Sequence, residues 1–160
     1  MISLFASSEA EQERLGVELA RLCPRRCVIY LEGELGTGKT TLARGFLRGL
    51  GHRGVVKSPT YTLIEPYEVE ERLCYHLDLY RLADPAELEY IGIRDLLREP
   101  AVLLVEWPER GRGALPEPDL RIQVEHSPPG RRLSVLGESE QGRALEAALA
   151  EHVPANPELL

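Results

Sequence analysis

Nine consecutive residues, Gly33-Glu34-Leu35-Gly36-Thr37-Gly38-Lys39-Thr40-Thr41, fit the pattern G-x-x-x-x-G-K-[ST], a loop whose backbone N–H groups cradle phosphate. Its glycines let successive N–H groups turn inward, and a helix opening behind them adds the positive end of its dipole. Lys39 would reach the β- and γ-phosphates of a nucleoside triphosphate, and the Thr40 hydroxyl would ligate Mg²⁺. Without the right flanks the same run is only a glycine-rich turn before a helix. Here the apolar run Val28-Ile29-Tyr30-Leu31 leads in, and the helix-prone run Thr41-Leu42-Ala43-Arg44-Gly45-Phe46-Leu47 leads out. That context predicts a triphosphate-binding loop.

A second candidate lies downstream. Ala101-Val102-Leu103-Leu104-Val105-Glu106-Trp107-Pro108 reads as a buried strand ending in an acid, the metal-binding partner of such a loop. At the C-terminal end of a parallel strand, Glu106 would lie beside Thr40 and complete a Mg²⁺ site, at the edge where open α/β sheets bind ligands. The plainer reading is an acid that caps a core strand. Trp107 could pack over the site, anchor a partner or fill the core.

Two further groups are less specific. Ser58-Pro59-Thr60 places two hydroxyls around a proline, and such a segment can hold a γ-phosphate or its Mg²⁺ and release after hydrolysis. It can equally be a rigid turn before a strand. In His76-Leu77-Asp78-Leu79-Tyr80, alternation puts His76, Asp78 and Tyr80 on one face. Asp78 could hold Mg²⁺ through water or orient the attacking water, or be a solvated acid on an edge strand.

The elements that must position these residues follow from local signals. Ser8-x-x-Glu11 reads as a capping box opening a helix to about Leu22, with Leu15, Leu19 and Leu22 on one face. The helix after the phosphate loop runs to about Leu50 and stops at Gly51. Residues 61–69 and 72–80 read as an antiparallel hairpin around Glu70-Glu71. Asp84-Pro85-x-Glu87 starts a short helix that breaks near Gly92, with another over 94–98. Residues 120–126 and 132–136 read as a second hairpin, in which Arg131 or Arg132 could reach towards phosphate. A last helix covers 140–152. The whole is an α/β fold, a P-loop NTPase-like three-layer sandwich whose mixed sheet has a parallel centre and antiparallel hairpins at its edges. Residues 1–153 are expected to form a single domain and 154–160 a flexible tail.

Composition narrows the function classes. The 160-residue chain carries a formal net charge of −7 with no basic block, unlike a stand-alone nucleic-acid binder. No apolar run approaches the ~20 residues of a membrane span, and no signal peptide is evident, so a cytoplasmic location is expected. Cys23, Cys27 and Cys74 lack metal-site spacing and are expected to be small buried hydrophobes. Of nineteen basic residues only Lys39 and Lys57 are lysines, and Lys39 stands where a compact ammonium is needed between phosphates.

Taken together, these motifs resemble the TsaE (YjeE) family, P-loop ATPases of bacterial tRNA threonylcarbamoyladenosine synthesis. The resemblance rests on the loop through Gly45, on Val56-Lys57-Ser58-Pro59-Thr60-Tyr61-Thr62-Leu63, on His76-Leu77-Asp78-Leu79-Tyr80-Arg81-Leu82, on Gly92-Ile93-Arg94-Asp95 and on Val105-Glu106-Trp107-Pro108. The order and spacing are similar, and the match spans Gly33 to Pro108. It implies that Thr40 and Glu106 hold Mg²⁺, that Asp78 contributes to the nucleotide site, and that Ser58 and Thr60 belong to a switch. It also implies that the segment opening the first helix helps bind the base. Lys39, Asp78 and Glu106 become the catalytic candidates, with ATP and Mg²⁺ as ligand and cofactor. The resemblance further implies slow hydrolysis by a monomer alone and docking on the TsaB–TsaD complex, where TsaD modifies adenosine 37. Contact with tRNA would be indirect, and hydrolysis would reset the complex. No Arg sits in a recognisable finger motif, and a missing finger costs on the order of 10³–10⁵ in rate. The alternatives are a small-molecule kinase and a nucleotide-gated adaptor without significant hydrolysis.

Overall fold

The structure, a computed structural model, describes residues 1–57, 59 and 62–153. In chain order they form β1 (Ile2–Ala6), α1 (Glu9–Leu22), β2 (Cys27–Glu32), α2 (Lys39–Leu50), β3 (Ile64–Val69) and β4 (Arg72–Asp78). Two short helices follow, α3 (Ala86–Tyr90) and α4 (Ile93–Leu96), then β5 (Ala101–Glu106) and a 3-10 turn, Pro108–Gly111. The hairpin β6 (Leu120–Ser127) and β7 (Gly130–Gly137) and the helix α5 (Glu140–His152) complete the fold. The expected switch residues Ser58 and Thr60, and the expected tail, lie outside the described residues.

All seven strands join one sheet in the order β1-β7-β6-β2-β5-β4-β3. β6, β2, β5 and β4 run parallel at its centre, while β7, β1 and β3 are antiparallel to their neighbours. The mixed α/β P-loop sandwich expected from the motifs is therefore the fold. β1 is the strand the sequence did not announce. Ile2-Ser3-Leu4-Phe5-Ala6 is short, has no turn partner nearby, and is ordered only by pairing with β7 from the far end of the chain.

Local chemistry sets the element boundaries. Ser8 caps α1 by accepting the Glu11 N–H, and the Glu11 carboxylate accepts the Ser7 N–H at 2.6 Å. The β3–β4 turn holds Glu70 and Glu71 at φ 49° and 69°, the left-handed pair that a two-residue hairpin needs to match strand twist. Asp84 accepts the Ala86 N–H while the Glu87 carboxylate accepts those of Ala83 and Asp84. α3 therefore opens as its sequence predicts.

Alternation along the central strands feeds two apolar layers. Ile29, Leu31, Cys74, Val102 and Leu104 pack with α1, α2 and α5, and Val28, Leu77, Leu103 and Val105 pack with α3, α4 and the segment after β5. The stripe that α1 buries is Gln12, Gly16, Leu19 and Ala20, shifted from the expected Leu15-Leu19-Leu22 face. The shift follows from how closely α1 and α2 approach. A Cβ on Gly16 would run into the Leu42 carbonyl, and one on Gly45 into that of Glu13. Small residues at the crossing let the backbones touch, and the bulkier leucines move to the flanks.

Candidate functional site

The strand order brings the chemistry together. β5 lies between β2 and β4 in parallel register, with Glu106 opposite Leu31 on one side and Asp78 on the other. Asp78 and Glu106 thus end neighbouring strands at the edge where the phosphate loop leaves β2. β4 is not an edge strand, because β3 covers its outer side. The reading of Asp78 as a solvated edge acid falls with that.

The loop has the backbone its glycines were expected to allow. Gly33, Gly36 and Gly38 sit at φ 146°, 78° and 95°, where a side chain is strained. Gly38 leads directly into α2, whose first residue is Lys39. Thr37 is buried and its hydroxyl donates to the Glu34 carbonyl at 2.8 Å, tying the loop to itself. Glu34, Leu35 and Gly36 form the exposed tip.

Lys39 is only 4% exposed. Its ammonium donates to the Gly33 carbonyl and lies 3.6 Å from the centre of the Trp107 ring. Burial lowers its pKa, against the pull of Glu106, Glu109 and Asp78. A partly desolvated cation beside N–H groups is suited to a polyanion. Trp107 reaches this place from a left-handed backbone, φ 57°, at the start of the 3-10 turn. It therefore packs over the site.

Thr40 and Glu106 meet as expected. The Thr40 hydroxyl is 3.2 and 3.1 Å from the two oxygens of the Glu106 carboxylate. The second of those oxygens also lies 2.6 Å from Nε2 of His76, which is fully buried. Asp78 Oδ1 accepts the Tyr80 N–H at 3.1 Å. Burial, helped by the charge of Glu106, raises the Asp78 pKa, while the Tyr80 N–H, His76 and Lys39 act to lower it.

Three cavities touch the loop. One of about 430 Å³ is lined by Gly38, Lys39, Thr40, Asp78, Glu106 and Trp107 among others. A second, of about 320 Å³, lies between Ser8 and Gln12 of the α1 end, Gly36 to Gly38, Thr41 and Arg131. Arg131 reaches the Gly36 carbonyl at 3.4 Å, so this arginine does lie near the phosphate loop. A larger cavity, about 740 Å³, opens on the other side against Glu32, Glu34, Glu109 and Glu125. Its carboxylates would repel a polyphosphate, so size does not mark the site.

The oxygen donors of Thr40 and Glu106 fit Mg²⁺, a hard cation that keeps waters and takes one or two protein oxygens beside substrate phosphates. Among the described residues no cluster of three or more His, Cys, Asp or Glu side chains could hold a metal alone. Such a site suits a metal that arrives with its nucleotide. Cys23, Cys27 and Cys74 are free and buried.

Two polar residues of the site went unread in the sequence. Gln12 is buried, and its amide N–H groups donate to the carbonyls of Thr37 at 3.0 Å and Gly38 at 2.8 Å. A glutamine on the buried stripe of an amphipathic helix was the available signal. Alternation puts His76 on the face of Asp78 without showing what it touches. Its contact depends on β4 pairing with β5, which no local pattern announces.

Comparison with known proteins identifies the family. A family model described as threonylcarbamoyl adenosine biosynthesis protein TsaE matches residues 6–133. The tRNA threonylcarbamoyladenosine biosynthesis protein TsaE of Haemophilus influenzae is 46% identical over 154 residues, covering 93% of this chain and 98% of the relative. That of Aquifex aeolicus is 37% identical over 124 residues, covering 76% and 85%. The crystal structure of Bacillus subtilis YdiB superposes with a TM-score of 0.81 at 26% identity, covering 94% and 95%. The chain belongs to the TsaE family.

Proposed function

We propose that this member of the TsaE family is a Mg²⁺-dependent ATPase of the cytoplasm, splitting ATP to ADP and phosphate in support of threonylcarbamoyladenosine formation at adenosine 37 of tRNA. The observation that carries the reading is the Thr40 hydroxyl lying 3.1–3.2 Å from both Glu106 oxygens, next to the buried ammonium of Lys39.

Each residue has a task in that reading. The N–H groups of the loop and the α2 N-terminus take the phosphate oxygens. Lys39 leaves Gly33 and Trp107 to neutralise the β- and γ-phosphates. Thr40 and Glu106 hold the Mg²⁺, which supplies charge neutralisation where phosphoryl oxygens become more negative. Asp78, one strand from Glu106, orients the attacking water. The cavity between the start of α1 and Arg131 takes the nucleoside, which agrees with the base-binding role expected of that segment. The Ser58 and Thr60 switch remains part of the proposal.

No Arg lies in a recognisable finger motif of the sequence, so turnover by the chain alone is slow in this reading. The TsaB–TsaD complex is the proposed partner, supplying a group or repositioning Asp78. The test measures phosphate release from ATP by the chain alone, with TsaB and TsaD, and with candidate small hydroxyl acceptors. Stimulation by the two proteins together, with loss of activity in Glu106→Gln, is expected. Strict dependence on a small acceptor would identify a kinase. Normal support of adenosine 37 modification by Glu106→Gln would identify a non-hydrolysing adaptor.

A further inference from the structure

We propose that His76 is a positioning residue of the metal site, holding one oxygen of Glu106 so that the other stays available beside Thr40. The inference rests on the reading of Thr40 and Glu106 as the Mg²⁺-holding pair.

A histidine with no exposed surface, set in a layer with Cys74, Val102 and Leu104, is costly unless its polar atoms are used. Its Nε2 lies 2.6 Å from Glu106 Oε2. Facing a carboxylate oxygen at that distance, Nε2 must carry the proton and donate. Nδ1 is equally buried and has no hydrogen-bond partner among the described residues. The ring is therefore not held by a network of its own. Among the described residues its one hydrogen bond goes to Glu106.

The donor count around Glu106 explains why this bond matters. The Thr40 hydroxyl has a single proton, shared between two carboxylate oxygens at 3.2 and 3.1 Å. When the Thr40 oxygen turns a lone pair to the metal, that weak tie is disturbed. The His76 N–H comes from the neighbouring strand, across the register pair His76–Leu104, and metal binding does not compete for it. It orients the carboxylate in both states. Outer hydrogen-bond partners of this kind are typically worth about 10–100-fold in metal affinity.

The test compares wild type with His76→Leu, which removes the donor, and His76→Gln, which returns an amide N–H of similar reach. Binding of a non-hydrolysable ATP analogue is followed by Trp107 fluorescence as Mg²⁺ is titrated, and again in EDTA. The expected result is a Mg²⁺ midpoint about 10–100-fold higher in His76→Leu, largely restored in His76→Gln, with unchanged binding in EDTA. Nitrogen-15 NMR of the metal-free protein should show the His76 proton on Nε2, with its resonance displaced by Glu106→Gln. A wild-type midpoint in His76→Leu, a His76→Gln that behaves like His76→Leu, or a proton on Nδ1 alone would overturn the inference while leaving the ATPase reading standing. If His76→Leu lacks a melting transition, His76→Gln and the NMR measurement decide. Analogue binding by wild type that ignores Mg²⁺ removes the metal site itself and overturns both readings.

Discussion

The Lys39 ammonium sits 3.6 Å from the centre of the Trp107 ring while donating to the Gly33 carbonyl. In the proposed ATPase both contacts would give way to phosphate. A cation–π contact contributes roughly 0.5–2 kcal/mol, whereas each hydrogen bond to a charged group contributes about 1.5–3 kcal/mol. Several phosphate oxygens should therefore win the lysine. Adding Mg·ATP should change Trp107 emission as Lys39 leaves the ring. Lys39→Ala should alter the starting emission and abolish the response. An unchanged response in that variant would show that Lys39 does not move between the two.

Lys39→Ala and Thr40→Ala should each abolish Mg·ATP turnover while keeping a cooperative melting transition. Lys39 loses the charge for the phosphates, and Thr40 loses the oxygen that faces Glu106 at 3.1–3.2 Å. Phosphate release and calorimetry on the same samples check this, and full activity in both variants would sink the site assignment.

Asp78 makes the metal-free protein pH-sensitive in a definite direction. Burial raises its folded pKa above the unfolded value, against the Tyr80 N–H. Between those two values the folded state binds more protons, so stability falls as pH rises through the window. Asp78→Asn keeps an acceptor for the Tyr80 N–H and removes the charge. It should melt higher than wild type at pH 7 without nucleotide, with the advantage vanishing below the unfolded carboxylate pKa, and it should hydrolyse ATP more slowly. Melting temperature against pH for the two proteins reads this out.

Gln12→Leu should take the amide donor from the Thr37 carbonyl, while the Gly38 carbonyl keeps the Leu42 N–H. An orphaned buried acceptor costs about 1–3 kcal/mol. The loop should also lose its tie to α1. Urea unfolding should register the first effect and a weaker nucleotide affinity the second. Wild-type affinity would mean that the loop holds its shape without α1.

Gly45→Ala tests the helix crossing. In an exposed helix the change would stabilise by about 1 kcal/mol. Here the added Cβ meets the Glu13 carbonyl, and overpacking typically costs 1–3 kcal/mol. A net loss of stability in urea is expected. A gain would mean that α1 can move away at little cost.

The phosphate loop, the cap of α1, the two hairpins and the acid ending β5 were all legible in the sequence. Each depends on residues close together in the chain: glycines at left-handed positions, a hydroxyl before a helix, alternation beside a two-residue turn. These fix local shape with little reference to the rest of the fold. Strand order was not legible, because pairing between β4 and β5 depends on how the layers pack. Only that pairing sets Asp78 opposite Glu106 and lets His76 reach the same carboxylate. β1, the Gln12 tie to the loop and the place of Arg131 beside Gly36 come from contacts spanning 25 to 95 residues or more. The sequence determined the phosphate-loop pattern and, through it, the ligand proposed for the chain. The tertiary structure decided which side chains surround it, since only packing brings distant polar groups within hydrogen-bonding reach.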